Sequence, residues 1–447
     1  MASSDTTTIR APAGPCLVKK DDNLILAHGI PYAHASRFEQ PGRLPPWTNS
    51  KDCRELATIC PQLPSRLESV ALGPITANRS MDEDCLHLTI ISPENASHAP
   101  VMVWLHGGAF ISGSGDLDCY APISLARDHG VVCVNVSYRL GVFGYLMIPG
   151  IAPANLGLLD QRAALQWIQA NISSFGGDPS RVTVVGQSAG ADSIVCLLAS
   201  DDTEGLFHRA ILMSPPLREI RDRIPTIALL ARKAASLLTV DPREMSTSQL
   251  LDLQKSLLMD PVKPQIMLFG PALGHYPLPL EAALDRRLSS RLRDVPVMIG
   301  WTEQDGRPFA RWMGPLRSLY PFPGIGRILE SLGTWWVTRS YFAWPAQAFR
   351  KQVEDDAGGR ATSYEFKWHP DGNEMQANHC IDIPFILGRP CAWRGAPMLM
   401  GPESQEQLEK LGQHMRHLYA GFIQGYHPKP GHLVIGKDFE CSYSLWQ

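Results

Sequence analysis

Ser188 stands in Gly186-Gln187-Ser188-Ala189-Gly190, after the β-rich run 181–185 and before the apolar stretch 194–198. A G-x-S-x-G pentapeptide on a strand-to-helix turn lifts the serine hydroxyl out of a tight bend, with the free N–H groups of the new helix beside it. The chemistry this offers is attack on an acyl carbon. A serine hydroxyl is a poor nucleophile near neutral pH, so it needs a base within hydrogen-bond reach and a third group to orient that base. On such an elbow the partners follow in the chain order serine, acid, histidine, which confines the search to residues after 188. The acid belongs in a loop just beyond a sheet strand, and residues 295–299 form such a strand ahead of Gly300-Trp301-Thr302-Glu303-Gln304-Asp305-Gly306. Asp305 is the expected acid and Glu303 its rival. Six histidines follow: His369, His379, His414, His417, His427 and His432. His414 and His417 fall on a helical stretch, whereas His379 lies in a loop shortly after the strand 364–368, where a base is needed. On position alone, Asp305, Glu303 and His379 read equally well as ordinary loop residues. An acyl-transfer site also needs backbone N–H groups aimed at the developing oxyanion. His106-Gly107-Gly108-Ala109 follows a strand directly, so the amides of Gly108 and Ala109, with that of Ala189 after the nucleophile, are the expected donors. His106 itself reads as a structural hydrogen-bonder.

The elements that must position these residues alternate. Residues 101–105 and 131–136 are continuous apolar runs, short enough for buried parallel strands, with a crossover helix at 122–129 between them. Residues 160–172 place Ala164, Trp167, Ile168 and Ile172 on one helical face. The elbow strand and helix follow, then a strand at 210–213. Strand–helix alternation from 101 to 213 predicts an α/β fold with a mostly parallel central sheet flanked by helices. Residues 216–290 and 307–360, helical in patches and broken by proline, read as excursions over the site. A last amphipathic helix is expected over 403–424, with Leu408, Leu411, Met415, Leu418 and Phe422 on one face. Residues 1–20 read as a loose arm leading into a first strand at 23–27. With no repeats and no linker-like tract, one domain spanning 1–447 is the simpler organisation.

Composition narrows the function classes. The chain has 447 residues, 44% hydrophobic and 19% charged, with a net charge of −3. That near-balance argues against a nucleic-acid partner, and no apolar run approaches the ~18 residues of a membrane span. Met1 to Pro15 is polar and lacks a signal-peptide core, so an intracellular setting with mostly reduced cysteines is expected. The ten cysteines include no C-x-x-C pair. H-E-x-x-H and G-x-x-x-x-G-K-[ST] are absent as well, which removes the zincin and P-loop readings. Gly324-Ile325-Gly326 is a turn rather than a dinucleotide motif.

Taken together, these segments resemble the type-B carboxylesterase family, which includes carboxylesterases, cholinesterases and bacterial p-nitrobenzyl esterases. The resemblance runs through Gly29-Ile30-Pro31-Tyr32-Ala33 with Arg37-Phe38, Glu83-Asp84-Cys85-Leu86, and His106-Gly107-Gly108-Ala109-Phe110. It continues in Asn155-Leu156-Gly157-Leu158-Leu159-Asp160-Gln161, Phe175-Gly176-Gly177-Asp178-Pro179, the elbow, and Leu206-Phe207-His208-Arg209-Ala210-Ile211. It implies an α/β-hydrolase fold, a Ser188–Asp305–His379 triad, and two-step hydrolysis of a small-molecule ester with no metal or organic cofactor. It further implies a structural ion pair between Arg37 and Glu83. The acid is Asp where the family usually has Glu, Ala109 replaces a third glycine, and Trp301 stands at a normally small position. Relatives with a secretory signal often bridge cysteines matching Cys60 and Cys85; without that signal the bridge is not expected here. Lactonase, thioesterase and acyl-transferring or cyclising chemistry would use the same triad, and a binding protein that lost catalysis is a more distant alternative.

Overall fold

Twelve strands join in one sheet in the computed structural model, which describes residues 5–261, 265–313, 317–356, 358–426 and 431–436. In chain order they are β1 (Asp5–Ala11), β2 (Gly14–Asp21), β3 (Leu24–Pro31), β4 (Lys51–Asp52), β5 (His87–Pro93) and β6 (Ala99–Leu105). Then come β7 (Val132–Val136), β8 (Gly177–Gln187), β9 (Arg209–Met213), β10 (Val297–Thr302), β11 (Ala361–Phe366) and β12 (His432–Ile435). Their spatial order is β1-β2-β3-β5-β7-β6-β8-β9-β10-β11-β12, with β4 beside β2. From β7 to β12 every pairing is parallel, while β1, β2, β3, β5 and β7 pair antiparallel. This is the α/β-hydrolase architecture.

Alternation along β6 explains the layers. Val101, Val103 and Leu105 face one core with Val132, Val134, Val136, Val182 and Val184. Met102 and Trp104 face the other, with Cys133, Val185, Ile211 and Met298. A strand buried on both faces reads as an unbroken apolar run, which is why these strands stand out in the sequence. The helices Leu156–Asn171 and Ala189–Ala199 cover the first face through Leu158, Ala164, Ile168 and Ile194. Ile123–His129 and Gln405–Gln424 cover the second through Leu125, Leu411, Met415 and Leu418. At the start of Gln405–Gln424 the Ser404 hydroxyl accepts from Gln407 N–H while the Gln407 side chain accepts from Ser404 N–H, a reciprocal cap.

The N-terminal stretch departs from expectation. Residues 5–21 are a hairpin, paired from Asp5↔Lys20 to Ala11↔Gly14, rather than a loose arm. Thr6, Thr7, Thr8 and Ile9 are β-branched, and Cys16 and Val18 are buried on one face of β2, which anchors the edge. The stretches 216–290 and 307–360 are also mixed. Ile266 and Phe309 reach over the serine, but Leu284, Leu288, Ala346 and Phe349 pack into the first core beside the sheet. Arg139 and Asp160 form a buried bidentate pair (Nη2–Oδ1 2.6 Å, Nε–Oδ2 2.8 Å) that ties the loop after β7 to the helix Leu156–Asn171. Arg37 and Glu83 pair as the resemblance implies, only partly buried, with the Thr247 hydroxyl donating to Glu83 at 2.8 Å. Cys60 and Cys85 are buried free thiols. Among the described residues no helix is long and apolar enough to cross a membrane.

Candidate active site

The strand β8 ends at Gln187 and a helix begins at Ala189, so Ser188 alone makes the turn, at φ +54° and ψ −119°. A non-glycine residue there carries strain of about 1–3 kcal/mol and persists only where its surroundings fix it. They do. The Ser188 N–H donates to the Met213 carbonyl at 2.9 Å, and the first turn of the helix closes with Asp192 N–H on the Ser188 carbonyl. A Cβ at Gly190 would lie 2.0 Å from the Leu105 carbonyl oxygen, so only glycine lets the elbow press against β6. Ser188 is left 6% exposed, at the floor of a pocket.

The loop after β6 curls over the same floor. Gly108, Ala109 and Phe110 all have positive φ, at +113°, +55° and +60°. The turn closes with Ile111 and Ser112 N–H on the Gly108 carbonyl, at 3.0 and 3.1 Å. Gly108 and Ala109 line the pocket with Ser188, and their amides take no part in those bonds. His106 is buried with its ring stacked on Tyr138 at 4.4 Å, and its Nδ1 meets the Gly107 carbonyl at 2.8 Å. Burial holds its pKa down, to about 4, so it is neutral and structural.

Asp305 lies three residues beyond β10, which runs on through Gly300 and Trp301 to Thr302 rather than stopping at 299. Its Oδ2 accepts the Thr302 N–H at 3.0 Å, and its Oδ1 meets His379 Nδ1 at 2.6 Å. The two side chains are 0% and 1% exposed. Their loops are stitched together directly: Gln304 N–H donates to the Ala377 carbonyl at 2.9 Å, and Arg307 donates to the Gln376 side chain at 3.0 Å. Phe309 and Phe342 hold the imidazole, each with its ring centroid 5.1 Å away. Glu303 points elsewhere, 39% exposed and 3.5 Å from Lys367. Among the other histidines, His414 bonds the Lys410 carbonyl on the last helix, His417 lies by His129, His369 bonds the Pro370 carbonyl, and His432 stacks on Trp301. His427 lies outside the described residues.

Three side chains at this site escape sequence reasoning. The Gln187 carboxamide nitrogen lies 3.0 Å from His379 Nε2 and 3.2 Å from Cys380 Sγ. With Nδ1–H given to Asp305, Nε2 carries the lone pair that accepts this amide. Beneath the pair, the buried Asp382 accepts from the Tyr364 hydroxyl at 3.1 Å. Desolvation, reinforced by the Asp305 charge, pushes the Asp382 carboxyl up to about 7. Arg66, from a loop far from any motif, lines the pocket wall with Ile266 and Leu67. Gln187 carried a signal, being next to Ser188; Arg66 carried none. Among the described residues no cluster of three or more His, Cys, Asp or Glu side chains could hold a metal ion.

Residues 18–318 match the family described as "Carboxylesterase family". The chain is 37% identical to a probable N-octanoylanthranilate hydrolase of Rhodococcus erythropolis over 93% of its own length and 92% of that protein's. It is 32% identical to the para-nitrobenzyl esterase of Bacillus subtilis (strain 168), covering 90% and 86% of the two chains. The solved structure of a thermophilic PNB esterase superimposes with a TM-score of 0.81 over 96% of each chain, at 26% identity.

Proposed function

The chain belongs to the carboxylesterase family and is a serine hydrolase of carboxylic esters, and from that premise we propose that Ser188, His379 and Asp305 are its catalytic triad. Ser188 Oγ attacks the ester carbonyl as His379 Nε2 takes its proton, and Asp305 holds Nδ1–H so that Nε2 presents its lone pair. For this the Gln187 amide must leave Nε2 as the substrate enters. The amides of Gly108, Ala109 and Ala189 take the oxyanion of the tetrahedral intermediate. His379 then returns the proton to the departing alcohol, and water repeats the sequence on the acyl-enzyme. The observation that carries this reading is the buried 2.6 Å contact between His379 Nδ1 and Asp305 Oδ1 in the pocket of a strained Ser188. A burst of p-nitrophenol from a p-nitrophenyl ester, equal in amplitude to the enzyme and lost in Ser188→Ala, is the expected result; an active Ser188→Ala protein would sink the nucleophile assignment.

A second reading extends the donor to N-acyl aromatic compounds, favoured by the similarity to the probable N-octanoylanthranilate hydrolase. Matched ester, thioester, lactone and anilide substrates, compared by kcat/KM, separate the two.

A further inference from the structure

The pocket above Ser188 is walled mainly by apolar groups: Leu67, Leu72, Ile75, Ile111, Ile266 and Phe309. Arg66 is the cationic residue among those that line it. Arg66 stacks its guanidinium over Trp312, 5.3 Å from the ring centroid, and donates through Nη2 to the Ile266 carbonyl. A guanidinium has five N–H donors. Among the described residues no carboxylate lies within ion-pair distance of Arg66. Burial lowers its pKa, and Glu219 is the carboxylate whose charge acts in the other direction. Glu219 spends one oxygen on the Ile266 N–H at 3.1 Å, not on Arg66, and burial pushes its carboxyl up to about 7. The Ile266 peptide is thus held at both ends, and the cation between it and Trp312 keeps spare donors beside the acyl-transfer site.

Resting on the esterase reading above, we propose that Arg66 selects substrates that carry an anionic group, a carboxylate, placed to reach this wall while the scissile carbonyl lies on Ser188. A partly buried, stacked guanidinium has no counter-ion in this wall, and a planar carboxylate meets its fork in two parallel bonds. The pocket therefore favours a monoanionic ester over its uncharged isostere. Two series separate the sides of the substrate. In one the carboxylate ends the acyl chain, as in mono-p-nitrophenyl glutarate against p-nitrophenyl pentanoate. In the other it sits on the leaving group, as in 2-(butanoyloxy)benzoate against 2-methylphenyl butanoate.

Wild-type protein is expected to prefer the anionic member of one series by about ten- to hundredfold in kcat/KM, the range of a charged hydrogen bond. Arg66→Gln should bring that ratio close to one, with the loss falling on the anionic member, and Arg66→Lys should keep part of it. Equal loss on both members would mean that Arg66 only holds Ile266 in place, and would overturn the proposal, as would the absence of any wild-type preference. Calorimetric binding of the same pairs to Ser188→Ala, with and without Arg66→Gln, reads anion recognition without turnover. A failed hydrolysis assay would then count against the triad and not against Arg66.

Discussion

Replacing Asp305 by Asn tests the site at its most constrained atom. The carboxylate has two jobs. Oδ2 accepts the Thr302 N–H at 3.0 Å and Oδ1 accepts His379 Nδ1–H at 2.6 Å. An amide can do only one. If its oxygen stays on Thr302, the NH₂ group faces Nδ1 and forces the proton to Nε2. If it rotates, NH₂ faces the backbone N–H, leaving a buried donor unpaired at about 1–3 kcal/mol. The first orientation wins because the two neutral imidazole tautomers differ by less than that. His379 then presents an N–H to Ser188 and to Gln187, and cannot take the serine proton. The geometry is almost unchanged while the base is lost, so kcat/KM is expected to fall by about 10⁴, or roughly 5 kcal/mol.

The assay is steady-state hydrolysis of a p-nitrophenyl ester, with thermal denaturation to show that Asp305→Asn is folded. Glu303→Gln, changing a side chain that is 39% exposed and paired with Lys367, should stay within about twofold. Asp305→Glu keeps the charge but inserts a methylene into a fully buried site, at about 1–3 kcal/mol of overpacking, and should fall between the two. More than a tenth of wild-type activity in Asp305→Asn, or equal damage from Glu303→Gln, would refute the assignment.

Gln187→Glu places a carboxylate against Nε2 in place of the amide. A neighbouring negative charge favours the imidazolium, so the acid limb of kcat/KM against pH should move up by about 1–2 units; an unmoved limb would show that this side chain does not face the base in solution. Gly108→Ala builds a Cβ 2.0 Å from the Ser112 carbonyl oxygen at φ +113°, which must unwind the loop and cost about 10²–10³ in kcat, chiefly without raising KM. Asp382→Asn addresses stability. Its folded carboxyl is raised to about 7 from an ordinary value near 4, so its contribution is full below about pH 4 and is lost as the pH rises through about 7. Across that window Tm of the wild type should decline relative to Asp382→Asn, and parallel curves would contradict the linkage.

What the sequence disclosed follows from how each feature is encoded. Strands β6, β7 and the second half of β8 are buried on both faces, so each is a local apolar run, and the elbow is a local pentapeptide whose Gly190 answers to a close contact with β6. The hairpin of residues 5–21 was hidden because an edge strand buries only alternate residues such as Cys16 and Val18, and its polar half resembles a free arm. The Asp305–His379 pair lies between the two cases. Position alone leaves Asp305 and Glu303 as rivals, yet with β10 and β11 side by side and Gln304 bonded to Ala377, Asp305 turns inward and Glu303 outward. Arg66 is the far extreme. Its neighbours Ile266 and Trp312 come from stretches about 200 and 250 residues away, so its meaning exists only after the pocket closes. Catalytic chemistry is legible here because it needs backbone geometry, and backbone geometry needs particular residues at short spacing. Substrate choice needs only a charge at a point in space, and any part of the chain that passes that point can supply it.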